Sequence, residues 1–174
     1  MLPLDVLYLP ELPVHDAEIE AINAEAFGPG RFAKAAYKIR EGGPHDKALS
    51  FVALRNDEVV GSVRLTPVAV GNGRALLLGP LAVRPAHKNL GIGRKLVSIA
   101  LKAAAEKDHR VVILVGDEPY YGPLGFKTIP TGQIRMPRPV DPRRLLAHEN
   151  RPGALADLQG EMKHADLGSS APVA

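Results

Sequence analysis

Apolar residues change their spacing along the chain in a definite order, and that order predicts helices first and a sheet after them. Leu4 to Leu9 is a short apolar run between prolines and reads as a strand. From Ala17 to Phe27 the apolar positions Ile19, Ile22, Ala26 and Phe27 recur at helical spacing, with Asp16 placed to cap the helix and Gly28-Pro29-Gly30 to stop it. Arg31 to Arg40 repeats the pattern, grouping Phe32, Ala36 and Ile39 ahead of Gly42-Gly43-Pro44. Strand-like spacing follows. Leu49 to Leu54 reads as a strand, Asn56-Asp57 as a turn and Val59 to Val70 as a long strand containing Pro67. Gly71-Asn72-Gly73 then predicts a tight hairpin, with Ala75 to Val83 as the antiparallel return strand.

Gly79-Pro80 interrupts that return strand. Proline has no N–H to donate to a ladder, so pairing is expected to fail locally on one side and leave the strand splayed or bulged. Arg94 to Lys107 sets an apolar face (Leu96, Val97, Ala100, Leu101, Ala104) against a polar one (Lys95, Ser98, Lys102, Glu106), which predicts an amphipathic helix. Val111 to Val115 is wholly apolar and mostly β-branched, as a strand buried on both faces requires. Strand, helix and strand in that order imply a right-handed crossover between parallel strands. The fold class is therefore α/β (α+β), with a mixed, mostly antiparallel central sheet flanked by helices. Beyond Phe126 the pattern weakens. Gln133 to Met136 reads as a strand, Pro142 to His148 as a short helix, and Ala154 to Met162 as a last strand or irregular segment. Residues 1–165 are expected to form one domain and residues 166–174, DLGSSAPVA, a flexible tail.

Composition narrows the class. With 45% hydrophobic and 24% charged residues in 174, the chain suits one soluble globular domain. Its formal charge of +3 is too small to point to nucleic acid. Distribution says more than the total, since Arg84 to Arg110 holds seven Lys or Arg against two acids. Such a patch suits a small anion carrying several phosphates. No cysteine is present, which excludes disulfides, thiolate metal sites and a cysteine nucleophile, and no other metal site is predicted. The first residues, MLPLDVLYLPELP, lack a basic n-region, and no apolar run approaches the roughly 18 residues of a membrane span. A cytoplasmic location without membrane contact is the expectation.

The candidate chemistry lies between the two central strands. Gly91 and Gly93 permit close backbone approach, and a helix starting beside them aims unpaired N–H groups and its positive dipole end at the same point. Glycines alone would serve a tight strand-to-helix turn equally well. Neighbouring residues decide between phosphate loops. A mononucleotide P-loop needs Ser or Thr after Gly-Lys, whereas Gly93 is followed by Arg94, Lys95 and Leu96. A dinucleotide loop needs a third glycine where Leu96 stands.

Lys88-Asn89-Leu90-Gly91-Ile92-Gly93 resembles the Q/R-x-x-G-x-G/A acetyl-CoA loop of the GNAT superfamily, the Gcn5-related N-acetyltransferases, with Lys in place of the usual Gln or Arg. The strand end Leu81, Val83, Arg84, Pro85 and the turn Tyr121, Gly125, Phe126 match the same family, and the LGPLAV strand with the YYxxxGF turn resembles its YhbS-like subgroup. The resemblance covers roughly residues 1 to 130. It implies the GNAT acyl-CoA acyltransferase fold, with the splayed strand at the cofactor site. Acetyl-CoA becomes the expected co-substrate, held by Leu81, Ala82 and Val83 along its pantetheine arm and by Lys88, Asn89, Leu90, Gly91, Ile92, Gly93 and Arg94 at its pyrophosphate. Tyr121 takes the position of the hydroxyl that protonates the departing thiolate, and Tyr120 reads as a packing residue.

By the same resemblance the acceptor is a primary amine of a small molecule or peptide, acetylated directly in a ternary complex. A non-catalytic acetyl-CoA sensor on the same fold is the alternative, and a homodimer is compatible with it. The general base stays open. Ala75 to Val83 contains no acid, leaving Glu20, Glu25, His45, Asp117 and Glu118, a water chain, or an amine that is already neutral. Arg31, Tyr37 and Arg40 lie on the helix that borders the acceptor site in this family. Arg135, Arg138, Arg143 and Arg144 lack the interleaved aromatics of a nucleic-acid surface.

Overall fold

The computed structural model describes residues 5–168. One twisted sheet organises them, in the order β1 (Leu7–Pro10), β2 (Phe51–Arg55), β3 (Glu58–Val70), β4 (Gly73–Val83), β5 (Val111–Val115), β8 (Leu145–Glu149) and β6 (Lys127–Thr128). A further strand, β9 (Gly160–His164), joins the free stretch of β3, and β7 (Ile134–Arg135) pairs with β9. Every neighbour along the main path is antiparallel except β4 and β5, as the crossover through the helix α3 (Ile92–Glu106) requires.

Apolar periodicity explains the layers. The stripe Leu96, Val97, Ala100, Leu101 and Ala104 of α3 is buried against Val63, Leu65, Leu76, Val112 and Leu114 on one face of the sheet. Alternate residues of the same strands, Val68, Leu77, Val111 and Ile113, pack on the opposite face with Ile39, Ile129 and Met162. Near the sheet's other end Ile19 and Ile22 of α1 (Asp16–Phe27) cover Val52, Val59 and Ala82. β5 is thus buried on both faces, which accounts for its unbroken apolar run.

Several expectations need correction. Asp16 begins α1 without capping it and instead accepts from Arg64 at 3.3 Å. Of the four apolar positions expected to pack on α1, only Ile19 and Ile22 are buried, together with Asn23, while Ala26 and Phe27 are exposed. The helix expected over Arg31 to Arg40 is broken. A 3-10 turn, Pro29–Ala33, and α2 (Ala35–Arg40) meet at Lys34, whose backbone is extended (φ −75°, ψ 150°). Phe32 therefore leaves the core and packs edge-on against Tyr37, ring centroids 4.8 Å apart. Pro142 to His148 is a 3-10 turn followed by β8, because the open edge of β5 recruits Leu145–Glu149 as a strand. At the end of the described residues, Ala165–Gly168 forms a helical turn, α5. Leu4 of the expected first strand and residues 169–174 of the expected tail lie outside the described residues.

The predicted irregularity in β4 is a bulge. Val63 faces Leu81 and Leu65 faces Leu78, so Gly79 and Pro80 together oppose Arg64. Parallel pairing with β5 is confined to Leu76↔Val112 and Leu77↔Ile113, after which the two strands separate.

Candidate active site

Where β4 and β5 part, a cleft of about 1070 Å³ opens between them. Its lower wall is the end of β4. Arg84 donates its N–H to the Val60 carbonyl at 2.8 Å, and ladder alternation then turns the main-chain groups of Ala82 toward β3 and those of Leu81 and Val83 away from it. Leu81 and Val83 consequently offer unpaired backbone to the cleft. Ala82 borders the cleft but buries its methyl under α1.

At the Val83 end the chain turns into α3. Asn89 (φ 64°) and Gly91 (φ 81°) both take the left-handed conformation, and Gly91 is the residue before the first helical turn. The first hydrogen bond of the helix runs from Lys95 N–H to the Gly91 carbonyl at 3.0 Å, leaving the N–H groups of Ile92, Gly93 and Arg94 without helical partners. Successive free N–H groups after a left-handed residue form an anion cradle, and the helix dipole adds to it. Lys88, Asn89, Gly91, Ile92, Gly93 and Arg94 line the cleft, whereas Leu90 is half exposed and does not.

The opposite wall is the turn after β5. Glu118–Tyr121 is one helical turn, α4, so adjacent side chains diverge by about 100° rather than pointing to opposite sides. Both tyrosines reach the cleft, packed edge to face with centroids 4.7 Å apart. The reading of Tyr120 as a packing residue assumed extended backbone and is corrected. Its hydroxyl lies over Gly93, and the Arg94 guanidinium sits 5.6 Å from its ring centre. Tyr121 is backed by Phe126 and fills the space that a side chain at Gly116 would take. Burial, reinforced by Tyr120 and Asp117 and opposed by Arg144, pushes the Tyr121 hydroxyl up to about 12.

A model of the "Acetyltransferase (GNAT) family" matches residues 17–126, which span the bulged strand, the cradle and the tyrosine turn. The chain belongs to the GNAT acetyltransferase family. In structure, this acetyltransferase is similar to the GNAT family N-acetyltransferase YhbS of Escherichia coli in complex with CoA, at 26% identity and a TM-score of 0.79, covering 94% of this chain and 91% of that one. It is also similar to a GNAT family acetyltransferase of Brucella melitensis in complex with acetyl-CoA, at 27% identity and a TM-score of 0.58, covering 82% and 95%. A comparison with curated protein sequences returned no match.

The acetyltransferase brings some expected residues to the cleft and not others. Arg31, Tyr37 and Arg40 all line it, and so do Arg138 and Arg144 of the downstream arginine group. Arg143 is instead paired with Asp141 at the surface. Among the candidate bases, Asp117 reaches the cleft and is held by Arg144 at 3.1 Å. Glu20 and His45 line a smaller cavity beside it, and Glu25 and Glu118 line neither. Glu20 accepts from Arg31 at 2.9 Å. His45 is 3.0 Å from Glu11, a buried acid that also takes two hydrogen bonds from Arg64 at 2.9 and 3.2 Å. Sequence reasoning missed the buried Glu11 and read Tyr120 as packing and Phe27 as core, although these two line the cleft.

Proposed function

We propose that this acetyltransferase moves the acetyl group of acetyl-CoA onto a primary amine by direct attack within a ternary complex. The observation that carries the reading is the continuity of the cleft: free main chain at Leu81 and Val83 runs straight into the Gly91–Arg94 cradle, with Tyr121 facing it across the gap. The coenzyme complexes of the Escherichia coli and Brucella melitensis relatives support the same occupant.

Each part has a role that follows from its chemistry. The cradle takes the pyrophosphate through Ile92, Gly93 and Arg94 N–H groups, and Lys88 adds charge. The pantetheine amides pair with Leu81 and Val83 as an added strand would, and an N–H there polarises the acetyl carbonyl as charge develops on it. No cysteine exists to carry an acetyl group, so the amine attacks the thioester itself. It arrives neutral and passes its proton to water in the cleft, since Asp117 and Glu20 are engaged by arginines.

Tyr121 serves the leaving group. A phenol raised to about 12 stays protonated at every physiological pH. Complete transfer to a thiolate, whose conjugate acid lies near 8.5, would be uphill by roughly three pK units. Tyr121 therefore stabilises the departing sulfur as a hydrogen-bond donor, and solvent completes the protonation. Free thiol released from acetyl-CoA, followed across a broad panel of primary amines, tests the proposal. Amine-dependent release is expected; tight acetyl-CoA binding without release from any amine would make the chain a sensor instead.

A further inference from the structure

The arginines at the bulged end of β4 are neutralised, apart from one. Arg31 is paired with Glu20, and Arg64 with Glu11 and Asp16. Arg40 makes no side-chain hydrogen bond or ion pair among the described residues, and its Nε is buried without a partner. Its guanidinium is pressed against the bulge, where a Cβ added to Gly79 would fall 2.5 Å from Nη2. Burial is also the main reason that its pKa falls to about 10, with the charge of Arg64 adding to the effect.

Arg40 stands at the junction of two spaces. A side cavity of about 210 Å³ shares Arg31, Tyr37, Arg40, Gly79 and Pro80 with the main cleft. Two further buried polar atoms without partners, Asn23 Oδ1 and Thr66 Oγ1, belong to residues lining this side cavity. An uncompensated cation, an amide oxygen and a hydroxyl thus belong to one cavity lining, and no described residue satisfies them. Leaving such groups unpaired is costly, and a ligand that pairs them recovers that cost.

Coenzyme phosphates are not that ligand. Gly79 and Pro80 oppose Arg64 and Val83 opposes Gly61, so at a strand rise of about 3.3 Å per residue they lie roughly 10 Å apart, and the cradle is at the Val83 end, with Val83 Cγ2 3.7 Å from where a Gly93 Cβ would stand. The thioester carbonyl would be served by a backbone N–H and needs no guanidinium. What remains is the acceptor. We infer that Arg40 binds a carboxylate of the acceptor, which is therefore a small amine of free amino-acid type carrying both groups. The side cavity, at about 210 Å³ and continuous with the cleft through Arg40, suits that size. The carboxylate assignment rests on the proposed transfer only for the fate of the amine.

Thiol release from acetyl-CoA, measured with the free amino acids and with their C-terminal amides, reads the carboxylate directly. The wild-type chain is expected to favour acids over the matching amides by at least about tenfold in kcat/KM, as a charge-assisted pair requires. Arg40→Gln should bring the ratio to within about twofold, and Arg40→Lys should keep part of it. Equal use of acid and amide, a preference for peptide amines, or a ratio that survives Arg40→Gln would overturn the inference. If no amine releases thiol, the proposed transfer fails separately. Calorimetry of the same acids and amides on coenzyme A-loaded protein then decides: acid-selective binding lost in Arg40→Gln supports the site, and equal or absent binding refutes it.

Discussion

The hydroxyl of Tyr120 rests over the α carbon of Gly93, so close that a Cβ at that glycine would stand 2.5 Å from the phenol oxygen. The turn after β5 and the first turn of α3 are therefore fitted to each other around a residue without a side chain. Gly93→Ala adds a better helix former, worth up to about 1 kcal/mol, and Tyr120 can swing outward because its ring is only partly buried. Stability should stay within a few degrees of the parent in a melting experiment. Affinity for acetyl-CoA should fall about tenfold, since the methyl group and the displaced ring crowd the cradle; unchanged affinity would remove Tyr120 and Gly93 from the site.

Gly91 makes a different demand. Nothing lies within 4 Å of its missing Cβ, but its φ of 81° is left-handed and turns the chain into the cradle. Gly91→Glu places a carboxylate among N–H groups built for an anion and forces a strained backbone on a residue with a side chain. Acetyl-CoA binding by calorimetry should weaken by at least a hundredfold, with the far-ultraviolet circular dichroism unaltered. Retained affinity would place the phosphates elsewhere.

Tyr121→Phe isolates the hydroxyl. The ring still packs on Phe126 and fills the space beside Gly116, so acetyl-CoA affinity should hold. Turnover should drop about a hundredfold, the lower end of what a positioned proton donor contributes. With the hydroxyl raised to about 12, the required protonated form persists through pH 10, and the pH profile of kcat should show no alkaline limb from this residue. A basic limb near pH 9 that Tyr121→Phe abolishes would contradict that assignment.

Legibility in the sequence followed the range of the interaction. β5, the Asn56-Asp57 turn and the bulge at Gly79-Pro80 could be read because their causes lie in adjacent residues. β8 could not. Leu145, Leu146 and Ala147 favour a helix locally, and the unpaired edge of β5 overrides them. Glu11 left no local mark, because its partners His45 and Arg64 lie 34 and 53 residues away. Tyr120 was misjudged by a single backbone turn, which converts opposite-facing neighbours into neighbours on one wall.

Glu11 predicts an acid-sensitive fold. Burial alone would raise its carboxyl, but hydrogen bonds from His45 and Arg64 outweigh burial and hold it below the ordinary value of 4.5. A depressed carboxyl contributes stability that is complete above its unfolded value and disappears as pH falls through the folded one. Thermal midpoints should thus decline as pH drops below about 4.5. Glu11→Gln should flatten that decline and lower the neutral-pH midpoint, because it leaves the partly buried Arg64 with Asp16 alone, a loss of about 3 kcal/mol. A variant with the parent's acid limb would show that other carboxylates govern it.

Arg40 has a second consequence, since a partly buried cation without a partner among the described residues costs stability in the ligand-free chain. Burial lowers its pKa, which means that the charged form is disfavoured in the folded chain, yet a guanidinium keeps its proton, so the penalty is present at neutral pH. Arg40→Met removes the charge and keeps most of the stem's packing, so the ligand-free variant should melt several degrees above the parent. An acceptor carboxylate would narrow the gap by neutralising the parent's guanidinium and leaving the variant untouched. Melting curves with and without the preferred free amino acid, at saturating coenzyme A, measure both effects. A variant less stable than the parent would mean that Arg40 is held by the fold itself and waits for no ligand.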